Sequence, residues 1–293
     1  MNRAELALCW GEILWDRFPD GARLGGAPAN VAYHLGALGG RVALASRVGD
    51  DRPGHDAIAA MAARGVDTAL IQLDPDRPTG AVEVSIDSEG NASYRLNRGG
   101  AWEHIAWSSE IAAALAGAGA FCYGTFSQRT PAGRQALRDA IAAAPEACLR
   151  VCDPNLRPSG VDPDVLRESL VAATVVKINE REEQQLRTTL GAADPIAWLL
   201  AGGARVVALT RGAFGSRLIT VDGEHDCPGF PAQAGGDTVG AGDAYLATLV
   251  HMLLRGQAID TINEVACRVG SFVASRRGAT PGLPEELIRA ANG

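Results

Sequence analysis

The chain has 293 residues, enough for one large α/β domain or two smaller ones, and 47% of them are hydrophobic, so a sizeable core can be buried. A net charge of −7 and a pI near 5.3 argue against a nucleic-acid surface and leave small-molecule chemistry, with any phosphate affinity confined to a local site. The opening MNRAELALCWGE is neither a signal peptide nor a membrane span, and the six cysteines form no C-x-x-C pair, as expected of buried thiols in a reducing cytosol.

Leu6 to Trp10 predicts a buried first strand closed by Gly11 and Glu12, and Asp16 follows at the end of a second short run. Gly25-Gly26-Ala27-Pro28-Ala29-Asn30 then leads into Val31, Leu35 and Leu38, which share one helical face. Pro28 suits a first helical turn, the glycines admit a ligand close to the backbone, and Asn30 offers a polyol both donor and acceptor. Val42–Val48 predicts a strand and Pro53–Arg64 a helix. Between Thr79 and Leu96 the pattern changes to period two around a turn at 87–91, which predicts an antiparallel hairpin with Arg95 and Arg98 on it.

The alternation resumes with a helix at Ile111–Leu115, a strand at Ala120–Tyr123 and a helix at Pro131–Ala144. Strands at Leu149–Cys152, Val171–Ile178 and Val206–Leu209 run into Asp153-Pro154-Asn155-Leu156-Arg157, Asn179-Glu180-Arg181-Glu182 and Thr210-Arg211-Gly212-Ala213-Phe214-Gly215. Such alternation predicts a mostly parallel sheet covered by helices on both faces, and open sheets of this kind bind ligands at the strands' carboxyl ends. A second hairpin spans Ser216–Phe230, and long helical runs follow Gly240 and Ile259.

Residues 235–254 join a glycine-rich turn to an apolar helix with a carboxylate at the junction. Backbone N–H groups of Gly240, Ala241 and Gly242 can approach an anion at the positive end of that helix. Asp243 falls in its first turn, and a base beside an anion hole points to phosphoryl transfer to a hydroxyl. A plain glycine loop with an aspartate cap is the structural alternative. The stretch lacks the Lys-Ser/Thr ending of a P-loop and does not complete G-x-G-x-x-G.

Asp237-Thr238-Val239-Gly240-Ala241-Gly242-Asp243 resembles the C-terminal signature of the ribokinase-like sugar kinases, also called the phosphofructokinase-B family. Five segments match in the expected order, covering essentially the whole chain. The resemblance implies a ribokinase-like α/β fold over 1–293, with a small β lid from about 12–24 and 79–107. It implies ATP-dependent phosphorylation of a primary hydroxyl on a sugar, with Asp243 as base and the turn 240–242 and Arg157 on the transferred phosphate. Asp16, Gly25, Gly26, Asn30 and Arg95 would meet the sugar, and Asn179, Glu182, Thr210, Gly212 and Gly215 would serve the nucleotide and its Mg²⁺. A K⁺ site is implied at Asp237 with carbonyls of Val239, Val273, Arg276 and Gly278, although Gly282 stands where ribokinases often have a serine ligand.

The form Gly-Gly-Ala-Pro-Ala-Asn is typical of the fructokinase branch, so fructose is the expected acceptor, with ribose, 2-keto-3-deoxygluconate and nucleosides open. The resemblance further implies a cytoplasmic homodimer that binds neither nucleic acid nor membrane. Trp10, Trp15 and Trp102 are bulky neighbours expected at the sugar site, either narrowing it or stacking on a sugar face. A catalytically silent sensor would need only the binding residues, and an NAD(P) dehydrogenase would need an early G-x-G-x-x-G that this chain lacks.

Overall fold

A computed structural model describes residues 5–18, 20–86, 92–157, 160–233 and 235–293. In chain order the elements are β1 (Leu6–Trp10), β2 (Leu14–Phe18), β3 (Gly21–Gly25), α1 (Ala27–Ala37), β4 (Arg41–Gly49), α2 (Arg52–Ala62), β5 (Ile71–Asp74), β6 (Gly80–Ile86) and β7 (Ala92–Leu96). There follow α3 (Ser109–Ala116), β8 (Ala118–Tyr123), α4 (Pro131–Ala143), β9 (Leu149–Cys152), α5 (Pro163–Val171), β10 (Val175–Asn179), α6 (Glu180–Thr189) and α7 (Pro195–Ala201). The chain closes with β11 (Val206–Thr210), β12 (Ser216–Thr220), β13 (Gly223–Cys227), α8 (Ala241–Leu253), α9 (Ile259–Ala274) and α10 (Glu285–Asn292).

Nine strands form one sheet in the order β13-β12-β11-β10-β9-β8-β1-β4-β5, parallel except for the β11-β12-β13 meander at one edge. The chain runs outward from β1 to β5, then returns to β8 on β1's other side, so the switch in strand order lies between β1 and β8. At such a switch the flanking connections diverge to opposite faces and leave a crevice beyond the carboxyl ends. Alternation along β1 feeds a core on each face: Ala7 and Cys9 pack toward α1, α8 and α9, while Leu8 and Trp10 pack toward the residues of α3 to α7.

The expected strand at Val171–Ile178 begins late. Asp162 caps α5 at Asp164 N–H, and Val165, Leu166, Ser169 and Leu170 bury one helical face, so Val171 is the end of a helix. No glycine or proline separates helix from strand between Leu170 and Ile178, and Val171, Ala172 and Ala173 lead into Val175 and Val176 across Thr174 alone, which hides that boundary from a reading by periodicity.

A second sheet, β3-β2-β6-β7, matches the expected lid strands. The expected lid segment from 101 onward is placed differently: Trp102 is wholly buried and stacks on Phe126 at 4.6 Å between centroids, which anchors this stretch to the main body. The turn at 87–91 and the side chain of Arg95 lie outside the described residues, and Arg98 is exposed.

Candidate active site

Six helices, α2 to α7, begin with a side chain accepting a backbone N–H, as Asp, Ser, Thr and Asn do at helix starts. Helix α8 does not. Its N-cap is Gly240 at φ 76°, and no side chain caps it. Ala241 N–H donates to the Thr238 carbonyl at 3.3 Å, which leaves the amides of Gly242 and Asp243 as the first free donors inside the helix, an amide cradle. The left-handed turn at Gly240 lets the chain pass within 2.5 Å, measured from an added Cβ, of the Ala279 carbonyl, where no side chain fits.

Asp243 is half-buried in that first turn. Burial and the Asp153 charge push its carboxyl up to about 6, against the pull of the Asn30 hydrogen bond, Lys177 and Arg157. A carboxylate with that pKa is mostly ionised at neutral pH yet basic enough to take a proton from a hydroxyl. Asn30, in the first turn of α1, donates from Nδ2 to Asp243 Oδ2 at 2.8 Å. The neutral His34 of α1 donates from Nε2 to the Ala279 carbonyl at 2.9 Å, its pKa lowered by burial to about 4. Two side chains of one helix therefore fix the Asp243 carboxyl group and the loop beneath its glycine turn.

Below the cradle, Lys177 Nζ donates to Asp153 Oδ2 at 2.9 Å, both side chains being buried. An added Cβ on Gly242 would stand 3.1 Å from Nζ, so the ammonium lies directly under the anion cradle. Glu12, only 3% exposed, follows β1 and accepts Ala27 N–H on Oε1 at 3.2 Å. Burial pushes its carboxyl up to about 7. Asp16 on β2 is raised to about 6, again mainly by burial. Arg157 is the opposing cation for Glu12, Asp16 and Asp243 alike, and its guanidinium carbon stands 5.9 Å from the centre of the Phe126 ring. A small cleft lies beside these groups, lined in part by Glu12, Pro28, Gly124, Phe126, Asp153 and Asn155.

Residues 21–286 match the pfkB family carbohydrate kinase. The chain belongs to that family. Fructokinase-2 of Zea mays is 29% identical over 98% of this chain and 95% of its own length. Among solved structures, an ATP-bound fructokinase from Xylella fastidiosa superposes with a TM-score of 0.86 at 24% identity, covering 98% of both chains. An uncharacterised sugar kinase from Pyrococcus horikoshii, in complex with ATP, gives 0.83 at 25% identity over 98% of this chain and 99% of the other.

In this pfkB kinase chain the sequence-derived residues fall into four groups. Asn30 and Arg157 face Asp243 and Arg157 also faces Asp16, while an added Cβ on Gly25 would run into the Asp16 carboxylate and one on Gly26 into the Glu12 carbonyl, so this group adjoins the Glu12 wall of the cavity. Thr210, Gly212 and Gly215 sit one strand further out, where Gly215 (φ 81°) packs against the 227–229 backbone and leaves no room for a side chain. Asp237, Val239, Val273, Arg276 and Gly278 are also gathered: Asp237 accepts Val239 and Gly278 N–H at 3.1 and 3.0 Å and donates its own N–H to the Arg276 carbonyl.

Asn179 and Glu182 form a capping box at the start of α6, and Glu182 also accepts Leu156 N–H at 2.9 Å. Both carboxylate oxygens are thereby engaged by backbone, so Glu182 binds the ends of β9 and β10 together and has only outer lone pairs left for a water. Of the three tryptophans, Trp10 packs edge-on against Phe121 in the core and Trp15 donates to the Pro53 carbonyl; Trp102 reaches the cavity only through Phe126.

Lys177 and Glu12 were missed as site residues. Lys177 is the only lysine in the sequence, set inside the apolar run Val-Val-Lys-Ile, and a cation there requires a buried carboxylate partner. That signal was available. Glu12 had none, because its neighbour Ala27 is recognisable only once the strand and helix are folded together.

Proposed function

We propose that the protein is an ATP-dependent sugar kinase that phosphorylates a primary hydroxyl of a monosaccharide, with fructose the best-supported acceptor. The carrying observation is a carboxylate raised to about 6 and seated at the amide end of a helix that no side chain caps. When bound, Mg·ATP supplies the phosphoryl group, its metal taking one or two protein oxygens at most. Asp243 accepts the proton of the attacking hydroxyl at its carboxylate, oriented by Asn30. The amides of Gly242 and Asp243, with Lys177 beneath, stabilise phosphate charge, and Arg157 offers a planar cation from the opposite side. Asp16 and Asn30 position sugar hydroxyls.

Fructose is favoured by the 25–30 segment and by the fructokinase relatives over nearly the whole chain. The same reading places K⁺ between Asp237 and the 273–278 carbonyls, pairs two copies through exposed lid strands, and locates the enzyme in the cytoplasm; among the described residues no helix is long and apolar enough to cross a membrane. The protein is to be mixed with Mg·ATP and each of fructose, ribose, 2-keto-3-deoxygluconate and a nucleoside panel, and ADP release followed. Fructose should give the highest kcat/KM, and ADP release indifferent to every acceptor would end the kinase reading.

A further inference from the structure

Helix α1 starts without a cap of its own. Its N-cap is Gly26 at φ 109°, no side chain of the segment accepts its first amides, and its first turn holds no acidic residue. Glu12 makes good this deficit from the β1-β2 turn, accepting Ala27 N–H at 3.2 Å and its own N–H as well. The backbone is clasped there too. An added Cβ on Gly26 would collide with the Glu12 carbonyl, and one on Gly11 would stand 2.5 Å from Pro28 Cγ. The next link is Asn30, whose N–H donates to the Gly26 carbonyl at 2.9 Å and whose amide holds Asp243. A rigid path three residues long thus leads from the Glu12 carboxyl group to the Asn30 amide.

We propose that Glu12 is a positioning residue for the reaction: by capping α1 it fixes the direction from which Asn30 holds Asp243. This rests on the kinase reading above. A carboxylate at a helix N-terminus is favoured by the dipole, and an acceptor buried this deeply cannot be replaced by water without rearrangement. Burial dominates its charge state by raising its pKa, with Arg157 lowering it and Asp243 raising it further, whereas Asp243 faces Asp153, Lys177 and Arg157. Capping needs only an acceptor oxygen, so the amide of glutamine serves as well as the acid.

The test compares Glu12→Gln, Glu12→Ala and Glu12→Asp, together with Asn30→Ala and the Glu12→Ala/Asn30→Ala pair. With the best sugar, Glu12→Ala should lower kcat at least tenfold and leave KM for ATP within twofold, while Glu12→Gln stays within twofold of the unmodified protein. Glu12→Asp keeps the charge but shortens the reach, and should behave like alanine. In the pair, Glu12→Ala should add less than twofold to the loss from Asn30→Ala. The Asp243 carboxyl titration, followed by ¹³C NMR without substrates, should lie higher in Glu12→Ala than in Glu12→Gln, which loses the same charge but keeps the acceptor, and Asn30→Ala should shift it in that same upward direction.

Normal kcat in Glu12→Ala, equal damage in Glu12→Gln and Glu12→Ala, or losses that multiply in the pair would overturn the proposal. If Glu12→Ala does not fold, the aspartate and glutamine variants decide it. If no sugar supports ADP release the kinase reading fails, and the NMR titration still decides the role of Glu12.

Discussion

Asn30 Nδ2 and Asp243 Oδ2 lie 2.8 Å apart although 213 residues separate them in the chain. Each occupies the first turn of its helix, α1 and α8, so the bond joins two helix starts at one point beyond the sheet. A hydrogen bond to the charged form keeps the base ionised at a pH where burial alone would neutralise it. Asp243→Asn should therefore lower kcat by about 10²–10⁴-fold, with ATP affinity preserved. Stopped-time ADP assays and nucleotide binding by calorimetry check both parts.

The pH profile of kcat/KM should fall on the acid side with a midpoint near 6, because the base must be unprotonated and burial has raised it to about 6. Asn30→Ala should move that midpoint upward, since it removes a contact that lowers the pKa. A profile flat down to pH 5 would contradict the assignment of Asp243 as base.

Stability of the ligand-free protein should slope the other way. Glu12, Asp16 and Asp243 are all raised by burial, to about 7, 6 and 6, from unfolded values near 4. Between about pH 4 and 7 the native state then binds more protons than the unfolded chain, so stability falls as pH rises through that window and levels off above it. Asp243→Asn, which mimics the protonated acid, should raise stability at pH 8 by about 1–3 kcal/mol while lowering turnover as above. Calorimetric melts at pH 5, 6, 7 and 8 on both proteins give the comparison.

Lys177→Met leaves Asp153 buried without its cation and should destabilise the fold by about 3–5 kcal/mol. Adding Asp153→Asn should recover part of that loss. Lys177→Arg should fold better than Lys177→Met but lose turnover, because a planar guanidinium is too broad for the space under Gly242. Urea titrations and kcat measured on the three variants separate charge from shape.

Two alanine substitutions in the same turn should part ways. Gly240→Ala forces a side chain into a left-handed residue and against the Ala279 carbonyl, and should cost about 1–3 kcal/mol of stability. Gly242→Ala meets only the flexible end of Lys177, at 3.1 Å, so the protein should fold normally and lose ATP turnover through displacement of the ammonium. Equal melting temperatures for the two variants would contradict this.

The sequence by itself determined the alternating architecture, the glycine turn before α8 and the acidic residue within it, because helix starts, apolar periodicity and tight turns depend on neighbours a few residues away. It also supplied Asn30 and Arg157, which face Asp243 in the fold. It misplaced the start of β10, where no glycine or proline marks the passage from helix into strand, and it put the 101–107 segment in the lid although Trp102 buries it against Phe126. Only the tertiary structure decided that Glu182 spends its carboxylate on backbone amides, that Lys177 pairs with Asp153 beneath the cradle, and that Glu12 caps a helix from another element. Burial, which sets the pKa values of Glu12, Asp16 and Asp243, is a property of how distant segments enclose one another, and no local pattern encodes it.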